Sequence, residues 1–328
     1  MLVGLYRRGV VRSLDDGVTW HSAQQGLSAT LDTELVLLAE SEPDSTVFVG
    51  GPEEGVRVST DGGINWEDRN TGLADAGVKS LAANSRGLWA ATGHGVYVSH
   101  DRANTWRRSN AGAGAARIVA AGSSKVVAAL EGGHLVVSED EGTSWRDLGL
   151  AVAQSEIVAL TLAGDGTVLV ATTSGAELTL WRWENLRGWS RLLVEPSRGV
   201  VRVALVVSST QPIEHGVLVG LGRSVLRPLP HPQEVRGRER RPMWRSAEPG
   251  PDVGSVTSLA VSPVDRTVFA ATNAGVFVSR DAGETFAEWS DGLTNSRIVA
   301  IAVSPNYSED RMVYAIGLGG TVWRRVSS

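Results

Sequence analysis

His94 and His134 occupy matching places in two similarly patterned stretches, each in a short turn between two apolar runs. Two imidazoles with the Glu131 carboxylate nearby would be the start of a metal site. The same residues fit solvated turn positions equally well. That is the preferred reading, so no metal and no cofactor is expected. Glu53, Glu54 and Glu131 raise a second chemistry, because paired carboxyl groups are what glycoside hydrolysis requires. The connections around them are short and leave nothing to wall a cleft. A third feature is cationic. Seven arginines fall between Arg223 and Arg245, against Glu234 and Glu239, with prolines interspersed from Pro228 to Pro242. Arg236, Arg238, Arg240 and Arg241 are the densest part. Such a stretch reads as an extended loop insertion, about 226–243, suited to an acidic partner or to phosphates. Its one aromatic residue is Trp244, so stacking on single-stranded nucleic acid is not supported. A tolerated solvent loop is the competing reading.

Composition narrows these options. The chain of 328 residues has no Cys, which excludes disulfides, thiolate zinc sites and a thiol nucleophile. The formal net charge is −5, so bulk electrostatics favours neither nucleic acid nor an acidic membrane. No run of 18 apolar residues occurs, so no membrane span is expected. Arg7 and Arg8 interrupt any signal-peptide core, which favours the cytoplasm. The opening strands read as the middle of a repeat, however, so the natural start is expected to lie upstream.

The elements that position these residues come from a repeat. One phrase runs from Ser13 to Trp20, Ser59 to Trp66, Ser99 to Trp106, Ser138 to Trp145 and Ser279 to Phe286. Its pattern is Ser-x-Asp-x-Gly-x-Thr-Trp/Phe, with aspartates Asp15, Asp61, Asp101, Asp140 and Asp281. They are spaced by 46, 40 and 39 residues, then by 141. Because 141 is three times 47, two degenerate copies are expected between, ending at Trp189 and Trp244. Asp can accept from turn amides, Gly tolerates positive φ, and the aromatic supplies apolar surface. Each residue therefore has a structural job, and no catalytic role is expected for these aspartates.

Apolar runs around the phrase complete the unit. Leu88–Thr92, a Gly turn and Val96–Ser99 match Val268–Thr272, a Gly turn and Val276–Ser279. These read as hairpins, and a further apolar run precedes each pair. Every unit thus has four strands, a to d, with the phrase as the c–d turn. No sustained 3.6-residue period appears, so almost no helix is expected. Four short strands per repeat of this length indicate an all-β fold, a β-propeller of four-stranded antiparallel blades. Six complete units plus three strands at each end make thirty strands, between the 28 of seven blades and the 32 of eight. Seven blades are favoured and eight kept open. Residues 1–328 are read as one domain whose ring closes with strands from both termini. The start of strand a carries Glu34, Lys79, Arg117, Glu156, Arg202 and Arg297 in successive units. These would form a mixed-sign polar ring at the channel mouth, where propellers bind peptides or small ligands.

The five phrases resemble the Asp-box, or BNR, repeat. That family includes bacterial sialidases, sortilin-type receptor domains, xyloglucan-cleaving hydrolases and a photosystem II assembly factor. The resemblance implies a propeller with the boxes at its edge, away from the ligand site. It carries only a structural role to Asp15, Trp20, Asp61, Trp66, Asp101, Trp106, Asp140, Trp145, Asp281 and Phe286. Sialidase activity would also need a Phe/Tyr-Arg-Ile-Pro motif, which is absent, and a nucleophilic Tyr. Tyr97 and Tyr314 lie inside apparent strands instead. The expected function is a non-catalytic protein-interaction scaffold or assembly factor, with the balance against an enzyme. The alternative is a glycan-active hydrolase, sialidase- or glycosidase-like, or a glycan-binding module. Candidate contacts for a protein partner are Lys79, His94, Arg117, Glu131, His134, Arg202 and Arg297, with Arg236, Arg238, Arg240 and Arg241 on the opposite face. No nucleic-acid partner is expected.

Overall fold

The computed structural model describes residues 2–5, 9–12, 21–22, 34–36, 47–51, 55–60, 65–74, 77–84, 86–112, 114–150, 155–185, 187–196, 203–207, 216–229, 243–250, 253–262, 264–290, 297–303, 311–317 and 322–326. Among them only Gly216 is helical. The chain divides into two compact units. One covers 1–154 with 164–166, the other 155–163 with 167–328.

The first unit holds four antiparallel sheets. They are β1 (Leu2–Leu5), β2 (Gly9–Arg12) and β3 (His21–Ser22); β4 (Glu34–Val36), β5 (Val47–Gly51), β6 (Gly55–Ser59) and β7 (Glu67–Asp68); β8 (Val78–Asn84), β9 (Gly87–Thr92), β10 (Gly95–Ser99) and β11 (Arg107–Arg108); and β12 (Ala116–Ala121), β13 (Val126–Leu130), β14 (Leu135–Ser138) and β15 (Arg146–Asp147). The second unit holds β16 (Glu156–Leu162), β17 (Val168–Ser174), β18 (Glu177–Glu184) and β19 (Gly188–Pro196); β20 (Val203–Val207), β21 (Val217–Leu221), β22 (Ser224–Pro228) and β23 (Trp244–Ala247); β24 (Val256–Val261), β25 (Val268–Thr272), β26 (Gly275–Ser279) and β27 (Ala287–Glu288); and β28 (Ile298–Val303), β29 (Met312–Gly317) and β30 (Val322–Val326). Every sheet pairs its strands in chain order. Within each unit the first strand of one sheet lies against the first strand of the next, as β4, β8 and β12 do, and β16, β20, β24 and β28.

The middle strands are buried on both faces, which is why they read as apolar runs rather than as an alternation. Side chains still alternate with a period of two. Leu88 and Ala90 face the β4–β7 sheet with Phe48, Val56 and Val58, while Trp89 and Ala91 face Val119, Val126 and Ala128 of the β12–β15 sheet. The second unit repeats this. Val268 and Ala270 pack with Leu218 and Val225, and Phe269 and Ala271 pack with Ile298 and Ile301. The core is therefore a series of interfaces between consecutive sheets.

After the three fully described c–d turns, the aromatic residue packs into the interface with the preceding sheet. Trp106 joins the Phe48 and Val58 cluster, Trp145 the Trp89 cluster and Phe286 the Leu218 cluster. The indoles also donate hydrogen bonds backward along the chain. Trp106 Nε1 donates to the Arg69 carbonyl at 2.7 Å, and Trp145 Nε1 donates to Ser109 Oγ. Trp244 follows the same rule and donates to the Leu192 carbonyl at 2.7 Å, so the expected degenerate copy ending there keeps its aromatic latch. The stretch ending at Trp189 differs. Trp189 lies inside β19, opposite Trp183 in a long hairpin, where the regular sheets have a two-residue fourth strand. A longer β18–β19 ladder there supplies backbone pairing in place of the box turn.

Truncating Trp106 or Trp145 to Ala is expected to lower unfolding free energy by about 3–5 kcal/mol. Trp106→Phe should cost about 1 kcal/mol through the lost indole bond. Trp89 Nε1 has no hydrogen-bond partner among the described residues, so Trp89→Phe should cost less than Trp106→Phe. Urea unfolding followed by circular dichroism measures all four. Trp106→Ala melting close to wild type would show that the aromatic latch does not hold the sheets together.

Candidate functional site

Three c–d turns are described in full, and all use the same bonds. Asp101 Oδ1 accepts from Ser99 Oγ at 2.8 Å and from the Thr105 amide at 2.9 Å, and Oδ2 accepts from Thr105 Oγ1 at 2.5 Å. Asp140 accepts in the same way from Ser138, the Ser144 amide and Ser144 Oγ. Asp281 does so from Ser279, the Thr285 amide and Thr285 Oγ1. The leading serine also accepts from the amide four residues on, at Ala103, Gly142 and Gly283. Those three residues have φ of 64°, 82° and 86°, so the glycine of the pattern answers a left-handed backbone. At Ala103 the pattern tolerates a methyl group, which is buried in the Trp106 cluster.

These bonds stabilise the charged carboxylates. The Ser144 hydroxyl and amide hold Asp140 down at about 2. Partial burial pushes Asp281 upward, but the Thr285 and Ser279 bonds outweigh it and bring that carboxyl to about 2 as well. Asp101 is lowered too, its slight burial again opposed by Thr105 and Ser99. A carboxyl held ionised with its lone pairs occupied is a poor general acid. Trp66 is buried at 6 % exposure. Asp15, Trp20 and Asp61 lie outside the described residues.

Lys79, His94, Arg117, Glu131, His134 and Arg297 are all exposed. Lys79 Nζ meets Glu131 Oε1 at 3.3 Å, linking the β8–β11 and β12–β15 sheets. His134 Nδ1 lies 3.3 Å from Asp147 Oδ2. Glu131 and His134 thus have different partners. Among the described residues no three His, Asp or Glu side chains gather as a metal would require. Glu53, Glu54, Arg202, Arg236, Arg238, Arg240 and Arg241 lie outside the described residues. Tyr97 is buried, packed against the Phe48 cluster.

A repeated irregularity positions the strand-a cations. In β8, β12, β16, β24 and β28 the ladder shifts register near the strand's start, at Lys79, Arg117, Val158, Thr257 and Val299. A bulge bends the strand and re-aims its extra residue. Lys79 and Arg117 share this position. Glu156 and Arg297 stand two residues ahead of the position, so the charged residues of the expected ring fall into two registers. Inside the second unit, the hydroxyl of Thr257 at this position donates to the Ile298 carbonyl of the next sheet at 2.7 Å.

Sequence reasoning missed one cluster. Glu284, inside the last box turn, meets Arg227 Nη2 at 3.2 Å and Arg245 Nη1 at 3.0 Å. Arg227 and Arg245 are directly opposite on β22 and β23, at the base of the Arg/Pro-rich segment. No sequence signal joins Glu284 to them, because the contact crosses between sheets.

The fold is that of a β-propeller, all-β with four-stranded antiparallel sheets. The DUF6242 beta propeller domain matches residues 16–159, less than half of the chain. A comparison with curated proteins finds no match. Among solved structures, the chain is similar to YCF48 from Cyanidioschyzon merolae, at 17 % identity over 90 % of this chain and 95 % of that one, with a TM-score of 0.63. It is similar to YCF48 bound to D1 peptide, at 17 % identity over 90 % of this chain and 100 % of that one, with a TM-score of 0.60. A computationally designed protein, Ika8, shares 16 % identity over 97 % of this chain and 95 % of its own, with a TM-score of 0.64. Among the described residues no helix is long and apolar enough to cross a membrane.

The lowered carboxyls predict an acid dependence. Asp140 titrates near 2 when folded and near 3.9 when unfolded, so its contribution is present above about pH 4 and is lost as pH falls toward 2. Urea midpoints of wild type and Asp140→Asn should therefore differ at pH 5 and converge near pH 2. A gap independent of pH would show that the charge is not what the turn stabilises.

Proposed function

We propose that the chain is a non-catalytic protein-interaction scaffold or assembly factor, built as one propeller domain of Asp-box blades over residues 1–328. The observation that carries this reading is the fold likeness, over nine-tenths of the chain, to YCF48, including its structure with D1 peptide. The box turns support it from the chemical side. Their carboxylates in the described copies are absorbed in holding the turn, and the exposed Glu131 is matched by Lys79. In this reading Asp15, Trp20, Asp61 and Trp66 have the same structural role as their described counterparts.

The partner docks on loops at the start of strand a and between strands b and c. Lys79, His94, Arg117, Glu131 and His134 supply that surface in the first unit, and Arg202 and Arg297 in the second. Arg236, Arg238, Arg240 and Arg241 form a further contact for an acidic partner.

Affinity purification from the native host tests the reading. Wild type should recover a defined protein partner, and Lys79→Glu with Arg117→Glu should reduce its recovery several-fold while the melting temperature holds. Changing Arg236, Arg238, Arg240 and Arg241 together to Ser should leave folding intact and make the remaining binding less sensitive to salt. Recovery indifferent to both sets would remove the proposed surfaces. A carbohydrate-hydrolysing activity in the purified protein would replace the scaffold reading with an enzymatic one.

A further inference from the structure

Arg227 and Arg245 form a like-charge pair directly across the β22–β23 ladder, an arrangement that costs stability unless an anion sits between them. Glu284 from the next sheet supplies that anion, and it does so with a single oxygen. Both guanidinium groups meet Oε1. The match is incomplete. Arg227 is largely buried, its side chain only 11 % exposed, and its Nε is buried with no hydrogen-bond partner among the described residues. A guanidinium pairs best when two of its N–H groups meet two carboxylate oxygens. Here the Nη2 edge is engaged and the neighbouring Nε is not. Glu284 and Arg245 are both exposed, so Glu284 can swing away without disturbing the core.

We propose that Arg227 and Arg245 form a carboxylate-binding site in which Glu284 is a resident occupant, displaced when an acidic side chain of a protein partner enters. The incoming carboxylate would take the place of Glu284 and meet Arg227 Nη2 and Arg245 Nη1, one oxygen on each. Within the contact itself two guanidinium groups share one carboxylate, so the partner segment it fits is acidic. This rests on the reading of the chain as a partner-binding propeller. It names a contact within the second unit, whereas Lys79 and Arg117 belong to the first.

Fluorescence anisotropy of a labelled octaglutamate peptide, at physiological salt, tests the site on the full chain. Removing the resident carboxylate in Glu284→Gln should tighten binding about tenfold, as expected for freeing a charge-assisted pair. Adding Arg245→Gln to that variant should abolish the gain. Glu288→Gln removes the same charge from the adjacent exposed strand and should leave affinity at the wild-type value. If Glu284→Gln does not fold, Glu284→Asp, which draws the charge back by one methylene, should show a smaller tightening. Unchanged affinity in the folded position-284 variant overturns the proposal. So does a gain that survives Arg245→Gln or appears equally in Glu288→Gln. Displacement of the peptide by inorganic phosphate at far lower concentration than by acetate would overturn the carboxylate assignment. Native-partner capture that depends on Lys79 and Arg117 but not on Glu284 or Arg245 would leave the scaffold reading standing and remove this contact alone.

Discussion

A four-stranded sheet that is apolar on both faces cannot be stable alone, because one hydrophobic face would always meet water. In this chain that constraint is met by the neighbouring sheet. Trp89 and Phe269 point forward along the chain, Leu88 and Val268 point backward, and each apolar cluster belongs to two consecutive sheets. The period of two along β9 and β25 makes this division automatic, since adjacent residues on a strand face opposite ways.

The c–d turns reinforce the same constraint. One aspartate and one serine satisfy the amides of a tight left-handed reversal, and the residue that follows inserts an aromatic ring into the preceding interface. The indole N–H then finds an acceptor on or next to the last strand of that sheet, at Arg69, Ser109 and Leu192. Turn and wedge are one device. In the described copies the aspartate charge is used locally, where hydrogen bonds lower the carboxyl pKa and hold the loop.

Surface chemistry is left to residues outside that device. Bulges at the start of the first strands fall at Lys79 and Arg117, and the b–c turn of the β12–β15 sheet carries Glu131, which meets Lys79, and His134, which meets Asp147. On the box-turn side, the Glu284 cluster ties two consecutive sheets together through charge. Both arrangements join neighbouring sheets and both use side chains that reach solvent, so both combine a structural contact with an accessible one.

Much of the strand pattern was legible in the residues. The thirty expected strands are present among the described residues, including the three at each end, because apolar runs and Gly turns are local signals. The turn bonds of Asp101, Asp140 and Asp281 are equally local, since the partners named for them lie within four residues. What failed locally was Trp189, where a tryptophan at the expected spacing belongs to a long hairpin. Spacing alone does not distinguish a wedge from a strand residue. The bulges at Lys79 and Arg117 were invisible for a similar reason, because a bulge is defined by the partner strand. The Glu284 contact with Arg227 and Arg245 spans sheets that the chain order does not bring into register. The amino acids alone thus determined the repeating unit and its turns, whose interactions are short in sequence. Only the packing of one sheet on the next decided which charges meet, because that depends on distances between segments about forty to sixty residues apart.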